Sequence, residues 1–124
     1  MAVHVVVYAK DLERLRRFYE SVPDLDAFER GTGFVVLGGF SVVAVPQAVA
    51  DKITIHSPPA LREDTPNKAS FLVAAIEERR GVIEQARGIL KPAADQWEWR
   101  HQLHLDGADP EGNVFQLRQR SGTI

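Results

Sequence analysis

The sequence has 124 residues, a length typical of a single domain with one hydrophobic core. Its 15 Lys and Arg against 17 Asp and Glu give a formal net charge of -2, and no stretch concentrates basic residues, which argues against a dedicated nucleic-acid-binding protein. The absence of cysteine excludes disulfides, thiolate zinc sites and cysteine nucleophiles, and no apolar run approaches the length that spans a membrane.

The first predicted elements are a strand and an amphipathic helix. Residues 3–8 are dominated by β-branched and aromatic side chains, which favour a strand. This start lacks the basic and then apolar layout of a signal peptide, so we expect a cytoplasmic protein. Asp11 is placed to cap the following helix, in which apolar residues recur at helical spacing from Leu12 to Val22.

A hairpin and a linker are predicted next. The apolar runs 34–37 and 40–45 flank the pair Gly38-Gly39, a pattern that predicts a β-hairpin. Residues 48–67 are rich in Pro, Asp and Ser, which indicates a linker. Because this linker is longer than the usual connection, we expect part of it to be ordered or to lie over the mouth of a pocket.

The second half of the sequence repeats the order of the first. We predict a strand at 69–73, a helix from Ile76 to about Ile89, and strands at 97–105 and 114–118. A shift of 64 residues aligns the two predicted helices, so that Leu12 falls on Ile76. The repetition favours a duplicated module within one domain. The predicted boundaries are module one at about 1–47, the linker at 48–67 and module two at about 68–120, within a domain of residues 1–124.

The letters DPEGN at 109–113 predict a tight turn before the last strand. The proline presets φ in the turn, and the glycine accepts a positive φ at low cost. A turn of this kind sets the register of the strand that follows it. The alternation then places Phe115 and Leu117 beneath a helix and turns Gln116 toward a cavity.

These stretches together resemble the vicinal oxygen chelate superfamily, which includes glyoxalase I, the bleomycin resistance proteins and the extradiol dioxygenases. The resemblance covers nearly the whole chain and rests on the letters HVVVYAKDLE at 4–13, RFYE at 17–20 and the tail that begins at Asp109. It implies an α+β fold of paired βαβββ modules, whose curled mixed sheets surround a cavity with the helices outside. It also implies a homodimer.

The resemblance also identifies the positions where metal-dependent members carry their ligands. These positions are a first-strand His, a carboxylate or His late in the first module, a His at the start of the second module and a Glu in the last strand. In this sequence they correspond to His4, Gln47, Lys68 and Gln116. A lysine ammonium repels a divalent cation, and the glutamine amide supplies no negative charge. We therefore predict a degenerate metal site, at which any metal would be held by His4 and Gln116.

Two histidines in the predicted strand at 97–105, His101 and His104, offer an alternative ligand set. On one continuous strand His104 would share a face with Glu98. A set drawn from His4, His101 or His104 with Glu98 is therefore a second hypothesis. His4 itself has two interpretations, a hydrogen-bonded core histidine or a pocket residue.

The aromatic residues also have two interpretations. Trp97 and Trp99 lie two residues apart on one predicted strand face, where they either pack in a core or dimer interface or form a wall for a planar or cationic ligand. Tyr8 shares a strand face with His4 and is a second candidate pocket residue.

The favoured hypothesis is a glyoxalase, bleomycin resistance or dioxygenase-like protein that binds a small molecule without a competent metal centre. The predicted ligand-binding residues are His4, Tyr8, Gln47, Lys68, Trp97, Trp99, His104 and Gln116. The alternative is a metal-dependent lyase, isomerase or dioxygenase that uses zinc, nickel, iron or manganese, and whether the protein is an enzyme stays open. A third hypothesis is a structural or regulatory domain that has lost the site. No catalytic residue is assigned. We expect a homodimer that binds neither nucleic acid nor membrane.

Overall fold

The computed structural model describes residues 3–23, 27, 29–61 and 64–122, which form two mixed β-sheets with short helices. The predicted α+β class is confirmed. The strands are β1 Val5–Ala9, β2 Glu29–Gly31, β3 Phe34–Leu37, β4 Phe40–Ala44, β5 Ala69–Leu72, β6 Ile89–Leu90, β7 Trp97–Trp99, β8 Gln102–Ala108 and β9 Val114–Arg120. The helices are α1 Leu12–Ser21, α2 Gln47–Ala50 and α3 Arg80–Gln85, with short 3₁₀ turns at Glu77–Arg79 and Ala93–Asp95.

The second sheet repeats the strand pairing of the first. The first sheet has the order β1-β4-β3-β2, in which β1 runs parallel to β4 and the other neighbours are antiparallel. The second sheet has the order β5-β9-β8-β6, in which β5 runs parallel to β9. Both β6 and β7 pair with β8, so together they occupy the place that β2 holds in the first sheet. The predicted pair of βαβββ modules is confirmed.

Helix α1 begins where the sequence predicts. The Asp11 carboxylate accepts a hydrogen bond of 3.1 Å from the backbone N–H of Arg14, which satisfies a free donor of the first turn. The helix buries Leu15, Phe18 and Tyr19, which lie at helical spacing on one face.

One hydrophobic core extends through both modules and includes the buried face of α1. The Tyr19 ring centroid lies 4.7 Å from that of Phe40 in β4 and 5.9 Å from that of Phe71 in β5. The Phe18 ring lies 5.4 Å from Phe115 in β9. Phe115 is fully buried, as its neighbour Leu117 is, so the predicted inward face of the last strand is confirmed. The two sheets are therefore packed together by the same helix.

The second predicted helix is shorter than the sequence indicated. The expected helix from Ile76 to about Ile89 is instead the 3₁₀ turn followed by α3, which ends at Gln85. Arg87 then has a φ of 71°, and Ile89 belongs to β6. Helical spacing of apolar residues continued past the end of the helix because strand β6 also buries apolar side chains.

The prediction of one continuous strand at 97–105 is also wrong, because a turn divides this segment into β7 and β8. Arg100 and His101 form this turn with φ values of 52° and 62°. Two-residue hairpin turns with positive φ normally carry Asn, Asp or Gly. Since neither residue is one of these, the sequence contained no turn signal at this point.

Among the described residues, no helix is long and apolar enough to cross a membrane. The cytoplasmic location stays a prediction.

Candidate functional site

One face of the second sheet brings together most of the polar residues that the sequence assigned to a site. On β9 the buried Phe115 and Leu117 alternate with Gln116 and Arg118, which lie on the opposite face. We call this opposite face the polar face. Its residues are Lys68, Ser70, Leu72, Trp97, Trp99, Gln102, His104, Asp106, Gln116, Arg118 and Arg120.

A continuous hydrogen-bond network crosses the polar face. The Arg118 Nε donates to the Ser70 hydroxyl at 3.0 Å, and that hydroxyl donates to the Gln116 Oε1 at 2.8 Å. The Gln116 Nε2 lies 3.5 Å from the Asp106 Oδ1. The Lys68 ammonium donates to the other carboxylate oxygen of Asp106 at 2.5 Å. The network therefore runs from one cation, through two neutral groups and a carboxylate, to a second cation.

The ion pair between Lys68 and Asp106 is partly shielded from water. The Asp106 side chain is 8% exposed and the Lys68 side chain is 32% exposed. A carboxylate this deeply buried would be costly without a charged partner, so the ammonium stabilises it where it lies. The pair is consequently a fixed part of the face.

Sequence reasoning missed three members of this network: Asp106, Ser70 and Arg118. The structure places Gln116 directly opposite both Asp106 of β8 and Ser70 of β5, because β9 lies between those strands. Alternation with His104 was the one available signal for Asp106. That signal does not show which strand lies alongside.

An aromatic cluster borders the network. The His104 ring stacks on Trp97 with centroids 5.3 Å apart and planes 15° apart, and it lies 5.9 Å from Trp99. The Lys68 ammonium lies 5.8 Å from the Trp97 centroid. The tryptophans are 39% and 61% exposed, which excludes the interpretation that they pack in the core of the single chain. They leave flat apolar surface open beside charged groups.

His104 is the buried member of this cluster. The residue is 3% exposed, and among the residues that the structure describes its Nδ1 has no hydrogen-bond partner. The prediction that His104 shares a face with Glu98 is wrong. Because the turn at Arg100 and His101 separates the two strands, His104 stands opposite Trp97, whereas Glu98 lies on the other face and accepts a hydrogen bond from Ser121.

Three of the predicted ligand-binding residues lie elsewhere. The His4 Nε2 is 2.5 Å from the Ser41 hydroxyl in the first module, and Tyr8 is exposed on the same module. Gln47 lies in α2, where its amide donates to Asp51 at 2.7 Å. Within the described ranges, no hydrogen bond, ion pair or ring contact joins these three residues to the network on the polar face. The structure does bring together Lys68, Trp97, Trp99, His104 and Gln116.

No protein-family profile and no curated protein matches the sequence. Solved structures do match the fold. The fosfomycin resistance protein FosX from Mesorhizobium loti superposes with a TM-score of 0.64 at 15% identity, over 100% of this chain and 93% of that one. A mutant FosX from Listeria monocytogenes, complexed with Mn(II) and 1S,2S-dihydroxypropylphosphonic acid, gives a TM-score of 0.63 at 16% identity over 100% and 91%. A glyoxalase-related enzyme from Fulvimarina pelagi gives 0.56 at 20% identity over 97% and 87%.

The chain has the vicinal oxygen chelate fold. The predicted resemblance is thus confirmed at the level of the fold. At these identities the likeness carries no activity with it, so the chemistry of the site has to be argued from its own residues.

The residues of this vicinal oxygen chelate fold do not fit a catalytic divalent metal. The one carboxylate of the network, Asp106, is bound by the Lys68 ammonium, and the Gln116 carbonyl oxygen accepts from Ser70. The His4 ring nitrogen is engaged by Ser41. Across the part of the chain that the structure describes, no three His, Cys, Asp or Glu side chains come close enough together to hold a metal ion. Divalent transition metals need anionic or imidazole donors with open positions, and this face offers an ammonium instead.

Proposed function

We propose that the protein binds a small molecule on the polar face without a catalytic metal. The ion pair of Lys68 with Asp106 carries this proposal. The position where the superfamily resemblance calls for a metal-ligating histidine holds an ammonium group. Its single positive charge offsets the carboxylate, which leaves no net negative charge to attract a divalent cation.

The same face has the two kinds of surface that a small organic ligand requires. Trp97 and Trp99 present exposed ring area for apolar contact. The hydroxyl of Ser70 and the amide of Gln116 present polar groups in fixed positions, because each is held by its neighbours in the network. Binding sites combine apolar walls with a few fixed polar groups in this way.

We also propose that the protein is a homodimer. Strand β1 lies at the edge of its sheet, and it exposes Val6 and Tyr8, which share one side of the strand. An exposed apolar edge strand is a common site of association. A second copy placed there would complete a cavity that includes His4 and Tyr8, which lie apart from the polar face within one chain.

The binding proposal is tested by metal analysis and a ligand screen on the same preparation. Protein purified without chelators is expected to contain no stoichiometric zinc, nickel, iron or manganese. Its melting temperature is expected to stay the same after dialysis against a chelator. Compounds that raise the melting temperature in a broad screen are expected to lose this effect in Gln116→Ala and to keep it in Gln85→Ala, the same change at an exposed position of α3. A tightly held transition metal would instead support the metal-dependent lyase, isomerase or dioxygenase.

The dimer is tested by its mass in solution. Val6 and Val49 are both 46% exposed, so Val6→Glu and Val49→Glu add the same charge at equal exposure. The dimer proposal requires that light scattering detects monomers for Val6→Glu and dimers for Val49→Glu. A monomeric unmodified protein would contradict it.

A further inference from the structure

The positive charges on the polar face are not all neutralised. Lys68 is paired with Asp106 at 2.5 Å. Arg118 uses its Nε to donate to the neutral hydroxyl of Ser70, and within residues 3–23, 27, 29–61 and 64–122 it makes no ion pair. Its terminal nitrogens donate no hydrogen bond in the same part of the chain. A half-buried guanidinium with an unused fork is therefore open to an external acceptor.

A small pocket with a second arginine includes Leu72, the strand partner of Arg118. This cavity has a volume of about 330 Å³ and is lined by Leu72, Val73, Ala74 and Arg120. Leu72 stands directly opposite Arg118 in the strand register. Apolar walls next to the Arg120 guanidinium favour a ligand that is apolar in its body and negative at one end.

The other side of Arg118 leads to the aromatic cluster. His104 stands opposite Arg118, and Trp97 stands opposite His104, so one row of side chains crosses the sheet from Leu72 to Trp97. Among the described residues, the buried His104 Nδ1 makes no hydrogen bond.

We propose that the polar face binds a planar organic monocarboxylate. The carboxylate lies on the Arg118 guanidinium, whose fork matches two carboxylate oxygens, and the flat body lies against Trp97 or Trp99. Arg120 adds to the positive potential, which disfavours a cationic ligand of the same shape. This inference rests on the proposed function, because it names the ligand class of the same face.

Three probes of one shape and different charge test the inference. Benzoate, benzamide and benzamidinium are titrated at constant ionic strength, with tryptophan fluorescence and the melting temperature as readouts. Benzoate is expected to bind about tenfold more tightly than benzamide, and benzamidinium is expected to bind least. Arg118→Gln should remove the preference for benzoate. Arg17→Gln, the same change on the exposed side of α1, should leave it intact.

Folding of the variants is checked by circular dichroism, and Arg118→Lys provides a milder change. It keeps the charge but loses the fork, so its affinity for benzoate should lie between those of the unmodified protein and Arg118→Gln. Equal binding of the three probes, or a preference for benzamidinium, would overturn the anion inference and leave small-molecule binding in place. Absence of binding by all three would also overturn it. A retained transition metal in the earlier experiment would overturn the proposed function itself, whatever the probes do.

Discussion

The hydroxyl of Tyr19 donates a 2.6 Å hydrogen bond to the carboxylate of Asp109, which lies 90 positions further along the chain. Both residues are buried, Tyr19 in α1 of the first module and Asp109 at the start of the turn before β9. The same carboxylate accepts from the backbone N–H groups of Glu111 and Asn113. The turn that carries the family resemblance therefore also joins the two modules.

Glu111, in the same turn, also connects the two modules. Its carboxylate accepts hydrogen bonds from the backbone N–H groups of Lys10 at 2.8 Å and Asp11 at 2.7 Å, immediately before α1. A negative charge at this end of a helix is also favoured by the helix dipole. Glu111 thus holds the start of the first-module helix from the second module.

Removing the Tyr19 hydroxyl should destabilise the fold. In Tyr19→Phe the buried carboxylate of Asp109 loses its side-chain donor from α1, while the ring and its contacts stay. We expect the free energy of unfolding to fall by about 1–3 kcal/mol. Urea denaturation measures this change. The matched control is Tyr8→Phe, which removes an exposed hydroxyl and should alter stability very little. Equal effects of the two variants would show that the bond between modules adds no stability.

The same tyrosine should make stability fall steeply at alkaline pH. Burial raises the pKa of Tyr19 well above its ordinary value of 10.0, and the charge of Asp109 raises it further. Above about pH 10 the unfolded chain therefore loses a proton that the folded protein retains, and stability falls by up to about 1.4 kcal/mol per pH unit. Tyr19→Phe should show a shallower decline over the same range in urea denaturation. An unchanged slope would mean that this group does not control alkaline unfolding.

A substitution in the turn between β7 and β8 should increase the stability of the protein. His101 has a φ of 62°, which glycine adopts without the steric cost that a side chain incurs. We expect His101→Gly to raise the free energy of unfolding by about 1 kcal/mol, since left-handed backbone costs an L-residue roughly 1–2 kcal/mol. His56→Gly is the control, because His56 is exposed and its φ is not positive. A gain in both variants, or in neither, would contradict the role assigned to the turn.

A designed metal site tests whether Lys68 and Gln116 occupy the ligand positions of the fold. Lys68→His with Gln116→Glu replaces the ammonium and the amide by an imidazole and a carboxylate next to Asp106. We expect zinc affinity, measured by titration calorimetry, to rise at least about tenfold. The control is Lys52→His with Gln85→Glu, the same exchange of residue types at two exposed positions away from the polar face. No gain over this control would mean that the two positions do not meet as the resemblance implies.

The local sequence pattern was sufficient to predict the helix and strands that bury one face. Helical spacing and a capping Asp11 predicted α1, and alternation predicted that Phe115 and Leu117 point into the core. These signals succeed because the direction of a side chain follows from the period of its own element. The order of such elements indicated a duplicated module, and the resemblance to a known superfamily implied the α+β class.

The residues that contact Gln116 on the polar face could be identified only from the tertiary structure. The alternation that turned Gln116 outward did not reveal Asp106 or Ser70 beside it, because those neighbours depend on which strands flank β9. The bond from Tyr19 to Asp109 was hidden for the same reason. The division of the strand at Arg100 was hidden because the turn residues Arg100 and His101 are not typical of a hairpin turn. The sequence by itself determined which faces are apolar and the order of the elements. Only the tertiary structure decided which charges meet, because strand pairing and burial join residues that are distant in the chain.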